Sequence, residues 1–188
     1  MPLNVLLLGP QGAGKGTQAK RISAEYGIPH IASGEILRAE MDAGTDLGQR
    51  VKATIERGDL VSDDLMIELI RNRLEQADTD AGFVLDGFPR TIVQAEALDS
   101  MFADIGRNFS VAFALQIPDE VAFDRLRRRA RADDTDEAIQ RRLDNYHRET
   151  EPLIEFYRTR GNVVPIHANR SENEVFAEIS RALEQVPA

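Results

Sequence analysis

The chain predicts an α/β fold, a three-layer α/β/α sandwich with a central five-stranded parallel sheet. Three observations point there. Apolar runs of strand length occur near residues 5–8, 28–32, 83–86, 111–117 and 162–167. Segments with apolar residues at helical spacing separate them, and that alternation makes a mostly parallel sheet covered by helices on both faces. With 188 residues, 42% hydrophobic and 29% charged, the chain suits one well-packed domain over residues 1–188.

The first apolar run, within residues 3–8, reads as a buried strand passing into a glycine-rich turn at Gly9. Ala19, Ile22 and Tyr26 follow at helical spacing, and Gly27 stops that helix. Residues 28–32 are the second strand. Ser33 has the chemistry of an N-cap for a helix over 34–43, which Gly44 ends, and 47–57 is a short helix closed by Gly58. Ser62, Asp63 and Asp64 cap a longer helix with Leu65, Ile67, Leu69, Ile70 and Leu74 apolar along it. Residues 83–86 are the third strand, 91–105 a helix ended by Gly106, and 111–117 the fourth strand. A helix then starts at Asp119; 162–167 is the fifth strand and 172–183 the closing helix. The strand ends at Gly9, Ala32, Asp86 and His167 would share the carboxyl edge, where ligands bind in this architecture.

Composition narrows the chemistry. Cys is absent, which excludes a disulfide framework, a thiol nucleophile and a cysteine zinc site. No apolar run approaches membrane-spanning length, and the run at 5–8 has no basic leader, so the expectation is a cytoplasmic protein without a membrane partner. A net charge of −9 opposes a nucleic-acid partner but not a nucleotide held by local cations. Only three Lys stand against twenty Arg, so a lysine in the first turn is informative.

Gly9-x-x-x-x-Gly14-Lys15 is the spacing of a phosphate-binding loop. Glycines let successive N–H groups aim at an anion, the helix behind adds its positive end, and the ammonium reaches the outer phosphates. A generic phosphate-loop GTPase or ATPase has Ser or Thr directly after the lysine; here Gly16 stands there and the hydroxyl comes at Thr17. Asp86, an acid at a strand end beside this loop, is placed to orient the water shell of magnesium. Gly87 and Pro89 shape a turn that projects Arg90 over the same edge.

GKGTQ at 14–18 and DGFPRT at 86–91 resemble the adenylate kinases, within the nucleoside monophosphate kinases, and the resemblance covers nearly the whole chain. It implies the P-loop kinase architecture and magnesium-dependent transfer, ATP + AMP = 2 ADP, balancing adenine nucleotides. ATP, AMP and ADP are the implied partners of a monomer. Gly12, Ala13, Gly14, Lys15, Gly16 and Thr17 would hold ATP. SGEILR at 33–38 is similar to the family's TGDxLR segment and assigns Ser33 and Arg38 to AMP, with Glu35 in place of Asp. GDLV at 58–61 resembles the turn lining the AMP adenine pocket, which adds Asp59, Leu60 and Val61. Gly87, Phe88, Pro89, Arg90 and Gln94 join the AMP side; an amide offers a donor and an acceptor to an adenine edge.

The basic stretch around residues 125–131, followed by Asp133-Asp134, resembles the family's lid segment. It implies Arg125 and Arg129 on the donor phosphates, and Arg131 and Arg142 bridging to the acceptor phosphate. With Lys15 and Arg90 they form the implied catalytic set. Helical geometry separately favours Arg142 over Arg141: Ile139, Leu143, Tyr146 and Thr150 form a stripe that Arg142 borders and Arg141 faces away from. Ala168 and Arg170 follow the last strand, where the family packs backbone against the donor adenine. Residues 32–61 are expected to form a mobile monophosphate-binding lobe and 128–134 a short lid, too short for the long-form insertion and without structural zinc.

Three other readings compete. A pyrimidine or guanine monophosphate kinase is the sibling reading, and Ser33, Thr91 and Gln94 favour adenine over it. A phosphate-loop hydrolase or GTPase switch lacks the hydroxyl after Lys15 and a guanine-reading N-K-x-D string. A nucleotide-binding module without activity conflicts with the intact cation set. His30, His147 and His167 have no metal-like spacing and read as structural or exposed.

Overall fold

Successive side chains of a strand face opposite ways, and in β1 (Leu3–Leu8) both sets are apolar but for the buried Asn4, so the strand is buried on both faces. It pairs in parallel with β3 (Gly82–Asp86) on one side and β4 (Val111–Gln116) on the other. β2 (His30–Ala32) and β5 (Val163–His167) complete an all-parallel sheet in the order β2-β3-β1-β4-β5. The computed structural model describes residues 2–161 and 163–186; the expected start of β5 at Asn162 lies outside them.

The alternation builds two cores. Leu6, Leu8, Phe83, Leu85 and Ala112 face α4 (Asp63–Leu74), α5 (Ile92–Asp104) and α8 (Pro152–Arg158), which contribute Ile70, Leu98, Phe102 and Tyr157. Val5, Leu7, Val84, Phe113, Leu115 and Ile166 face α1 (Lys15–Tyr26) and α9 (Glu172–Leu183) through Ala19, Ile22, Val175 and Ile179. Each large side chain buried this way contributes about 1.5–3 kcal/mol before entropy is set against it. The predicted three-layer arrangement is therefore the observed one. A third, small core joins Ala122 and Leu126 of α6 (Asp119–Arg129) to Ile139 and Leu143 of α7 (Asp136–Asn145), so the segment between these helices hangs from a pair with its own packing.

Several boundaries shift for identifiable reasons. β2 starts at His30 because Pro29 has no N–H for the ladder, although its carbonyl accepts from Val84 N at 2.9 Å. Ser33 does not cap: Ala32 is the N-cap of α2 (Ser33–Asp42), because β2 runs straight into the helix without a loop. The α3 helix (Asp46–Glu56) begins one residue early, capped by the Thr45 side chain on Gly48 N. Ser62 occupies the N-cap of α4 without a side-chain bond, and Thr91 caps α5 instead of lying within it. A 3₁₀ turn at Ala77–Thr79 and a π turn at Tyr146–Thr150, with α8 after it, were not legible in the pattern.

Every strand delivers its carboxyl end to one edge, and β1 lies where the strand order reverses. The turn after β1 therefore opens into the crevice of a topological switch point.

Candidate active site

The glycine-rich turn needs its glycines. Gly9, Gly12 and Gly14 have φ of +143°, +86° and +89°, and a Cβ on Gly9 or Gly12 would come within 2.6 Å of Leu115 O or 2.7 Å of Ala122 O. The turn thus lies directly on β4 and α6. It opens into a cavity of about 700 Å³ that Gly12, Ala13, Gly14, Gly16 and Thr17 line from one side.

Lys15, first residue of α1, folds back and donates to Gly9 O and Pro10 O, both at 2.9 Å. Burial, then the charges of Arg90 and Arg129, lower its ammonium from 10.5 to about 8, with Asp86 opposing. It stays charged at neutral pH, and an anion placed before it would draw the pKa up again. Asp86 ends β3 in the same cavity. Burial alone would raise its carboxyl, but His30 at 3.5 Å, Lys15 and Arg90 outweigh burial and hold it below the usual range.

Arg125, Arg129, Arg131, Ala168 and Arg170 line the same cavity. Arg125 donates to Gly12 O (3.3 Å) and Ala168 O (3.1 Å), bracing the loop against the turn after β5. Gln18, which the motif reading quoted without assigning, braces the same walls by donating to Glu172 O at 3.1 Å. Arg129 makes a paired contact with Asp134 at 2.9 and 2.7 Å, and Arg131 donates its backbone N–H to Asp134 at 3.1 Å. The Arg170 side chain is engaged with His167 O and Glu178, so only part of it faces the cavity.

A second cavity, about 60 Å³, lies beyond the seam formed by Arg38, Gly87 and Arg90, which line both. Ser33, Asp59, Leu60, Val61, Gln94 and Arg142 surround it. The Ser33 hydroxyl is aimed at Gly87, where a Cβ would lie 2.6 Å from it. Arg90 donates Nε to Gly87 O at 2.8 Å. Arg142 is buried, donating to Asp134 at 2.8 Å, to Ile55 O at 3.2 Å and to Asp133. Arg141 is exposed and pairs with Asp59 at 3.3 Å, so Arg142 is the one of the two on the buried side of α7, as helical spacing predicts.

Four assigned residues sit differently from expectation. The Gln94 amide is largely committed: its oxygen accepts from Arg90 N and its nitrogen donates to Asp63, both at 2.8 Å. It therefore fixes Arg90 as well as facing the cavity. Phe88 is buried in the core against α5, and Pro89 is buried and lines a separate small pocket with Gly58, Leu60 and Arg142, so neither side chain faces the second cavity. Asp59 is held by Arg57 at 3.0 Å and by Arg141.

Sequence reasoning missed His30 beside Asp86, and the carboxylates that hold Arg129 and Arg142. Asp133 and Asp134 stood in the motif, but nothing in their spacing said which arginines they would meet. The cations press on one another: burial, then Arg131, with Arg129 behind it, pushes Arg38 down against the pull of Asp133. Burial, then Arg142 and Arg38, does the same to Arg90 against Asp86. Such a cluster is built to receive a polyanion at the seam between two cavities.

Comparison with known proteins identifies the family. The sequence model of the adenylate kinase family matches residues 7–162. An adenylate kinase of Cyanothece sp. is 45% identical over 186 residues, covering 97% of this chain and 95% of that protein. Those of Stenotrophomonas maltophilia and Methanosarcina acetivorans are 42% and 39% identical, covering 96% of this chain and 99% and 98% of theirs.

Proposed function

The chain belongs to the adenylate kinase family and is a phosphotransferase for ATP + AMP = 2 ADP, and from that premise we propose that the larger cavity takes ATP and the smaller AMP. The observation that carries this division is the cationic seam of Arg38 and Arg90, shared by both cavities and crowded by Lys15, Arg129, Arg131 and Arg142. Phosphoryl transfer asks little of a protein base; it depends on placing two nucleotides in line and neutralising developing charge. Lys15 and Arg129 act on the donor side, Arg90, Arg131 and Arg142 at the transferring group, and Arg38 on the acceptor phosphate. Arg125 holds the donor walls together.

Magnesium fits this donor set in one way. Among the described residues no three His, Cys, Asp or Glu gather to hold a metal by themselves. Asp86 would orient its water shell while nucleotide phosphates supply the remaining ligands, as suits an ion that keeps its waters. Bound there, the ion neutralises phosphate charge. Residues 32–61 and 128–134 close over the nucleotides and exclude water, which would otherwise accept the phosphoryl group. We read the protein as a cytoplasmic monomer acting on free nucleotides, and a net charge of −9 supports the absence of a nucleic-acid partner.

Base recognition by Ser33 and Gln94 is tested by kcat/KM for AMP, CMP and UMP. Ser33→Ala should reduce the preference for AMP by about tenfold, since a site built to hydrogen-bond a base discriminates through its paired polar groups. Gln94→Ala should do the same and also lower kcat, because Arg90 N loses its acceptor. Unchanged preference in both variants places base recognition in backbone groups near Val61 and Gly87.

A further inference from the structure

The last turn of α3 ends in a Schellman motif: Gly58 N donates to Ile55 O at 3.0 Å and Asp59 N to Thr54 O at 3.0 Å, with Gly58 at φ +79°. Helix C-terminal carbonyls carry negative partial charge and need donors. They find them on α7. Arg142 and Asn145, three residues apart on one helix face, donate to Ile55 O and to Gly58 O, the latter a buried bond of 3.2 Å across 87 positions. The approach is tight, since a Cβ on Gly58 would stand 2.4 Å from Ala138 O. Residues 59–61 then continue as a wall of the smaller cavity.

The two donors are not equivalent. Arg142 has lid carboxylates and, in the reading above, a phosphate to meet. The Asn145 amide carries no charge for a phosphate to attract. It is buried, and its oxygen accepts from Arg148 at 2.6 Å, which orients the nitrogen toward Gly58. We infer that Asn145 is a positioning residue for the acceptor base: its amide holds the turn at residues 58–61 against α7 while Arg142 changes partners. This rests on the assignment of the smaller cavity to AMP.

Asn145→Asp keeps the shape and the contact with Arg148 but turns a donor into an acceptor facing Gly58 O. The KM for AMP should rise about tenfold, the loss of one buried hydrogen bond. KM for ATP should stay within about twofold, and relative kcat/KM for CMP and UMP should increase. Asn145→Ser, which restores a donor on a shorter arm, should recover part of the loss and serves as the test if the Asp variant does not fold. An unchanged KM for AMP, or equal losses for both nucleotides with a lowered Tm, overturns the inference. Arg38→Ala separates the two levels. If it raises the KM for AMP and Asn145→Asp does not, only the role of Asn145 fails; if neither does, the acceptor-site assignment fails with it.

Discussion

Lys15→Met should lower kcat by about 10²–10³-fold while leaving the fold and Tm intact, because a preorganised charge aimed at the transferring group is lost. The geometry explains why stability should hold. Among the described residues the ammonium bonds only to carbonyls of its own loop, Gly9 O and Pro10 O. Its pKa is depressed from 10.5 to about 8, so the folded chain binds this proton less tightly than the unfolded one. Below pH 8 the charge therefore opposes folding, and removing it relieves the cost of burying it and then the repulsion from Arg90 and Arg129. Near-normal turnover by the variant, or a collapse in Tm with kcat preserved, would mean that the loop does not handle the phosphoryl group.

The arginines should divide sharply. Arg90→Ala and Arg142→Ala should each cost about 10²-fold or more in kcat, whereas Arg127→Ala and Arg141→Ala should stay within about threefold. Arg127 and Arg141 make exposed pairs with Asp136 and Asp59 at 3.2 and 3.3 Å, contacts worth about 0–1 kcal/mol. Arg142 is different in kind. Its side chain is 5% exposed and meets Asp134, whose carboxylate is fully buried. Breaking a buried pair costs about 3–5 kcal/mol, and Arg129 still faces Asp134, so the lower end is expected in Arg142→Ala. Arg90→Ala should lose activity with a smaller stability loss, since among the described residues Arg90 gives its side chain only to Gly87 O. Steady-state kinetics and thermal melts on the four variants separate these outcomes. A comparable loss of kcat from all four would show that the arginines act as a diffuse field rather than at named positions.

Much of the site was legible because its chemistry is local. The phosphate loop is written in glycines that the structure requires, two of them with no room for a Cβ. Arg142 could be chosen over Arg141 because helical spacing decides which side of α7 is buried. What sequence left hidden depends on distant partners. Ser33 resembles a cap by residue type, but the absence of a loop after β2 turns its hydroxyl to Gly87, 54 positions away. Gln94 looked free until Asp63 and Arg90 took most of its amide. The π turn at Tyr146–Thr150 has no Gly or Pro to announce it; it is tied down by Thr150 Oγ1 donating to Arg90 O at 2.9 Å across 60 positions.

A nucleotide that spans both cavities distinguishes two adjoining sites from one. Two adenosines joined by five phosphates would place a base in each cavity and the phosphate chain along Lys15, Arg38 and Arg90. The second half then binds at high effective concentration, and the closed arrangement of Arg129, Arg131 and Arg142 is favoured with it. Titration calorimetry should give one molecule per chain, bound about 10²–10⁴-fold more tightly than ADP. Affinity equal to that of ADP, or two molecules bound per chain, would contradict the placement of donor and acceptor across a shared cationic seam.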